Sequence, residues 1–121
     1  MFITMFITML VSILGNKTAE KVMLHLFHYN ESHASAISND LSIPLTPVVA
    51  QLKRFEEGGI LISKQVGRSR VYSFNQKSNY YKPLQDLVRI AYESIPLSER
   101  QKLFKKSRKP RKSSKNLKML F

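Results

Sequence analysis

The chain has no cysteine. That absence excludes a disulfide framework, a thiol nucleophile and any cysteine-based zinc or iron–sulfur centre, and it fits a reducing compartment. Acids are scarce, 8 Asp and Glu against 20 Lys and Arg, so the paired carboxylates of acid–base catalysis are hard to assemble. The adjacent pair Glu56-Glu57 lies near a helix end, where neighbours diverge in direction. No Gly-rich phosphate loop, no HExxH and no Gly-x-Ser-x-Gly occurs. The expectation is therefore no enzyme, no catalytic residue and no cofactor. No apolar run reaches the ~20 residues that span a bilayer, so no membrane role is expected.

What is present is basic charge. The formal net charge is +12 on 121 residues, with a pI near 10.2. A balance this extreme favours a polyanionic partner. The charge is uneven: residues 99–121 carry +9 and residues 1–98 carry +3. A length of 121 residues suits one domain.

Residues 1–14, MFITMFITMLVSIL, carry no charge and repeat MFIT in tandem. Three readings are compatible with this run. It is a helix packing on the core or across a dimer; or an over-long start, with Met5 or Met9 as initiator; or a membrane-surface anchor, against which the missing basic flank argues. It lacks the basic region and cleavage site of a signal peptide. Gly15 breaks it.

Asn16, with Thr18 as a second candidate, caps a helix whose apolar residues Ala19, Val22, Met23, Leu26 and Phe27 recur at helical spacing. Asn30 suits its left-handed C-terminus. Residues 32–41 are predicted as a short second helix capped by Ser32. After a tight connection, Thr46 at the cap and Pro47 at the first position open a third helix. Its buried stripe is Val48, Leu52 and Phe55, and Gly58-Gly59 ends it. Residues 60–66 and 70–74 read as two strands around a Gly67-Arg68-Ser69 turn. Pro83 starts a fourth helix with Leu84, Leu87, Val88, Ala91 and Ile95 inward, and Pro96 stops it. Ser98 with Gln101 reads as a capping box for a last short helix. Beyond Lys106 the sequence is too charged to fold alone.

This order fits a mostly α, α+β winged helix-turn-helix with a two-stranded hairpin wing. In such a plan the third helix enters the DNA major groove. Its outward residues are Thr46, Pro47, Val49, Ala50, Gln51, Lys53 and Arg54. Gln51 suits adenine, Val49 and Ala50 suit thymine methyls, and Lys53 and Arg54 suit phosphates. The open helix N-terminus favours a phosphate. At the hairpin tip, Arg68 and Arg70 flank Ser69, a composition suited to a phosphate rail or a narrow minor groove. Arg108, Lys109, Arg111 and Lys112 form an accessory basic arm, whose contribution would fall steeply with salt.

The segment AISNDLSIPLTPVVAQLKRFEEGGILISKQVGRSRVYSFN resembles the ArsR-type winged-helix transcriptional regulators and, more broadly, the MarR-like superfamily. The matching residues are Ala36-Ile37, Leu41, Pro47-Val48, Leu52-Lys53-Arg54, Glu56-Glu57-Gly58-Gly59 and Gly67-Arg68 through Tyr72, within a resemblance covering about residues 16–95. The resemblance implies a homodimeric repressor of the prokaryotic cytoplasm, bound to double-stranded DNA, with residues 2–14 and 84–95 pairing across the two-fold axis. The metal-sensing members use a cysteine pair that this chain lacks. His25, His28 and His33 complete no ligand set, so no metal is expected.

The domain division that follows is an apolar helix at 1–15, the winged helix at 16–95, and a short helix with a basic tail at 96–121. Two other functions remain open. One is a protein–protein adaptor or antitoxin-type partner on the same scaffold. The other is RNA or ribosome association through the tail, although Tyr72, Phe74, Tyr80 and Tyr81 make no obvious stacking platform.

Overall fold

The structure, a computed structural model, describes residues 10–104. A short helical segment at 10–14 ends at Gly15, whose φ of +104 is a backbone conformation that favours glycine. Then α1, Lys17–Tyr29, runs through the centre of the molecule. Asn16 caps it, its side-chain oxygen accepting the Ala19 N–H at 2.7 Å, and Asn30 closes it at φ 72. Ala19, Val22, Met23 and Leu26 have no exposure at all.

Ser32 is not a helix cap, as the sequence suggested. It belongs to a two-residue strand, β1, Glu31–Ser32. The cap of α2, Ala34–Leu41, is His33, whose Nδ1 accepts the Ala36 N–H at 3.3 Å. Ser42 in the left-handed conformation turns the chain toward α3, Leu45–Glu57. Thr46 is not its cap either. The cap position is Pro44, which makes no side-chain hydrogen bond, and Pro47 sits third in the helix. A proline is tolerated there because the first-turn N–H groups have no intrahelical acceptor. Val48, Leu52 and Phe55 are buried, as their spacing predicts. The helix ends in a Schellman arrangement. Gly59, at φ +79, donates to the Glu56 carbonyl at 3.0 Å, and Ile60 donates to the Phe55 carbonyl at 2.9 Å.

Strands β2, Leu61–Val66, and β3, Ser69–Phe74, form the hairpin, joined by Gly67-Arg68 alone. Gly67 has φ +60 and Arg68 is not positive, the pattern of a II′ turn. The sheet has three antiparallel strands in the order β1-β3-β2, not the two expected. Glu31 and Ser32 pair with Ser73 and Tyr72, so the wing is stitched to the end of α1.

Helix α4, Tyr81–Ser94, starts two residues before Pro83, again placing the proline third. Its central Val88 is fully buried. Helix α5, Leu97–Leu103, starts behind Pro96 without a side-chain cap, so the Ser98–Gln101 capping box does not form. It leads to the buried Phe104. Among the described residues no helix is long and apolar enough to cross a membrane.

Candidate nucleic-acid interface

Burying Val48, Leu52 and Phe55 against α1 and α2 forces the opposite side of α3 outward. Thr46, Pro47, Ala50, Lys53 and Arg54 are exposed, while Val49 and Gln51 are half-buried. The centre of this face is the row Thr46, Ala50, Lys53, at i, i+4, i+7. Glu57, also exposed, ends the row with a negative charge. No side chain among the described residues caps the N-terminus of α3, so its first-turn N–H groups point outward beside Thr46.

Gln51 and Arg54 leave that row. The Arg54 guanidinium donates through Nε to Gln51 Oε1 at 2.9 Å and through Nη2 to the Leu14 carbonyl at 3.0 Å. It also lies 4.9 Å from the centroid of the Phe55 ring. Arg54 thus ties α3 to the end of the segment at 10–14, and Gln51 is drawn to that flank. Their spacing alone placed them with Lys53. The long-range acceptor at residue 14 has no signature in the sequence.

The two wing arginines also differ. Arg68 occupies the turn and is exposed. Arg70 lies on the same sheet face as Tyr72 and its partner Ser63. Arg70 Nη1 donates to Ser63 Oγ at 2.8 Å, and Ser63 Oγ donates to Glu56 Oε2 at 2.6 Å. This relay connects the wing to the last turn of α3. Ser63 and Glu56 were not among the sequence-predicted residues, because only the hairpin register brings them to Arg70. Burial, then the Glu56 charge, raises the Tyr72 phenol above its ordinary pKa, with Arg70 pulling the other way. Ser69 is half-buried at the start of β3. Lys64, exposed on β2, is a further cation on the wing. Arg108, Lys109, Arg111 and Lys112 lie outside the described residues.

The three histidines serve separate structural ends. His25 is fully buried, its Nε2 donating to Asp40 Oδ2 at 2.8 Å, a link from α1 to α2. His28 Nδ1 lies 2.6 Å from the Tyr92 hydroxyl, and its ring stacks on Phe104 at 4.7 Å. Partial burial, then the Arg100 charge, lowers the pKa of His28. His33 caps α2. Among the described residues no three His, Asp or Glu side chains gather in a way that would hold a metal ion.

No family model matches the sequence, and no curated protein matches it. Solved structures similar in fold include two of AbfR. One is reduced AbfR bound to DNA, with a TM-score of 0.55 and 20% identity over 84% of this chain and 75% of that one. The other is overoxidised AbfR bound to DNA, with a TM-score of 0.55 and 19% identity over the same shares. At such identity the likeness speaks for the architecture. With the element order and the hairpin sheet, it makes this chain a winged helix-turn-helix protein.

Proposed function

We propose that the chain is a sequence-reading, double-stranded DNA-binding transcriptional regulator acting as a repressor. The observation that carries this reading is the outward row of α3, with an open helix N-terminus at one end and the wing's Arg68 on a neighbouring element. A helix whose apolar stripe is buried and whose other face is small and cationic fits a major groove. Thr46, Pro47, Val49 and Ala50 meet base edges and the adjoining backbone, and Lys53 meets phosphate. Arg68 grips phosphate or a narrow minor groove, with Ser69 beside it. Arg70 and Arg54 set the angle of wing and helix through Ser63, Glu56 and Leu14. The basic arm adds counterion release. The AbfR structures, which hold DNA, support the reading by fold. The finer placing with ArsR-type regulators rests on the residues that carry that resemblance.

A dimer belongs to this proposal. Ile13, Ile90 and Leu97 are 61%, 58% and 60% exposed, apolar surface that a second copy would cover. The same surface would serve the adaptor reading.

Selection of bound sequences from random duplex DNA tests the function, with the full chain beside Lys53→Ala and Arg68→Ala variants. The expected outcome is an enriched inverted repeat that both substitutions weaken. Absence of any enriched sequence overturns the regulator reading and favours the adaptor.

A further inference from the structure

The wing has an open edge. In the sheet order β1-β3-β2, strand β2 has a neighbour on one side only among the described residues. The Asn75 N–H donates to the Ile60 carbonyl at 2.9 Å, straight across the base of the hairpin. Hydrogen-bonded pairs alternate along an antiparallel ladder, so Ile62, Lys64 and Val66 turn their backbone groups toward β3. Ser63 and Gln65 turn theirs toward the free edge, where no described residue takes them. An unpaired strand edge is a template for one more strand.

The side chains beside that edge are also unclaimed. Leu61, Tyr72 and Phe74 are the buried residues of the sheet's inner face, so Ile62, Lys64 and Val66 lie on the outer face. Ile62 and Val66 are 49% and 51% exposed. Lys64 is exposed between them, opposite Val71, and forms no ion pair among the described residues. The DNA reading uses the tip of the wing and leaves this strip without a role.

These features select an occupant. The backbone groups of Ser63 and Gln65 need an extended polypeptide, which nucleic acid does not offer. A second copy would bring its own Lys64 and wing arginines against these, a like-charge contact. An acid opposite Lys64, with an apolar side chain two positions to either side, meets the whole strip. We propose that β2 accepts an extended acidic peptide of a partner protein as a fourth, antiparallel strand, with the pattern apolar-x-acid-x-apolar set against Val66, Lys64 and Ile62. Occupancy this close to Arg68 would weaken DNA binding. That consequence rests on the proposed DNA function, whereas the strand pairing does not.

The experiment titrates the full chain with the end-blocked peptide Thr-Val-Thr-Glu-Thr-Val-Thr, followed by the backbone amide NMR signals of β2. The expected result is saturable shifts centred on Ser63 and Gln65. A peptide with lysine in place of the glutamate should bind about fivefold or more weakly, and Lys64→Glu should reverse that preference. N-methylating the two threonines that flank the glutamate blocks the N–H groups facing β2 and should abolish binding. N-methylating the glutamate, whose N–H faces away, should not. Gln65→Pro removes an outward N–H and leaves the β2–β3 ladder intact, and it should lower affinity about fivefold or more. Absence of saturable shifts, equal binding of the lysine peptide, or binding that survives methylation of both threonines overturns the proposal. So does protection of the Ser63 and Gln65 amides from hydrogen exchange in the free chain, since the edge would then be filled by the chain itself or by a second copy. A chain that binds the peptide but no DNA keeps the docking edge and loses the regulator reading.

Discussion

Helices α1 and α3 each have 13 residues, and they are built for opposite tasks. Helix α1 is buried over most of its length, including Glu20 and His25. Helix α3 fully buries only Val48, Leu52 and Phe55 and leaves the rest half-buried or exposed. The first is packed against α2, α3, α4 and the sheet, and the second is held at an angle by that packing. Buried contacts are therefore concentrated in α1. The face of α3 proposed to read DNA consists of side chains whose loss the fold should barely feel.

The sharpest break of this contrast is a core truncation in α1. Leu26→Ala removes a side chain with no exposure and is expected to destabilise the protein by ~2–5 kcal/mol, measured by denaturant unfolding. An effect below ~1 kcal/mol would mean that α1 is not the hub.

A second effect on α1 depends on pH. The Glu20 carboxyl titrates at about 7 in the folded chain against 4.5 for an ordinary glutamate. Below 4.5 both states are protonated. Between these values the unfolded chain releases its proton and the folded chain keeps it, so stability falls as pH rises, by on the order of 3 kcal/mol from this group. Above about 7 the loss levels off. Unfolding midpoints across pH 4 to 8 should show this slope, and Glu20→Gln should flatten it. An unchanged slope in the variant would assign the effect to other groups.

Smaller again is the cap of α1. Asn16→Ala deletes the acceptor of the Ala19 N–H and is expected to destabilise by ~1 kcal/mol, readable as a lower thermal midpoint. At the far end of the scale, Lys53→Ala and Arg68→Ala on exposed positions should change stability by less than ~0.5 kcal/mol. Each should still reduce the slope of log affinity against log salt on DNA by about 1. A variant that binds DNA with the same salt slope removes that residue from the phosphate contacts.

Arg54 sharpens the comparison differently, because it belongs to the helix proposed to read DNA yet is hydrogen-bonded back to the protein. Arg54→Ala should leave the salt slope nearly intact and alter which sequences are retained, since it removes the tie from α3 to Leu14. A loss in slope as large as that of Lys53→Ala would place its guanidinium on phosphate instead.

Local signals were strong where one residue type does one thing. Asn16, Asn30, Gly15 and Gly67 mark their boundaries through capping or positive φ, and Val48, Leu52 and Phe55 mark a stripe by period. Legibility failed where the partner was distant. Two polar residues, Glu31 and Ser32, carry no strand pattern, and they become a strand because β3 passes beside them. Both first-turn prolines, expected at the first helical position, sit third, two positions further in. A proline without an N–H is equally comfortable at several first-turn positions, so it marks the start only to within a turn.

By itself, then, the sequence determined the order of elements, the composition of the outward face and the concentration of charge at the C-terminal end. These depend on periodicity, capping and composition, which are local or additive properties. Only the tertiary structure decided which exposed cations are engaged by the protein itself. Lys53, Arg54, Arg68 and Arg70 are all exposed, but Arg54 is tied to Leu14 and Arg70 to Ser63. It also decided that Glu20, polar in the sequence, is buried beside Leu41 and Phe104. Both outcomes rest on contacts between residues far apart in the chain, where a hydrogen-bond partner or a cavity wall is supplied by packing that no local pattern encodes.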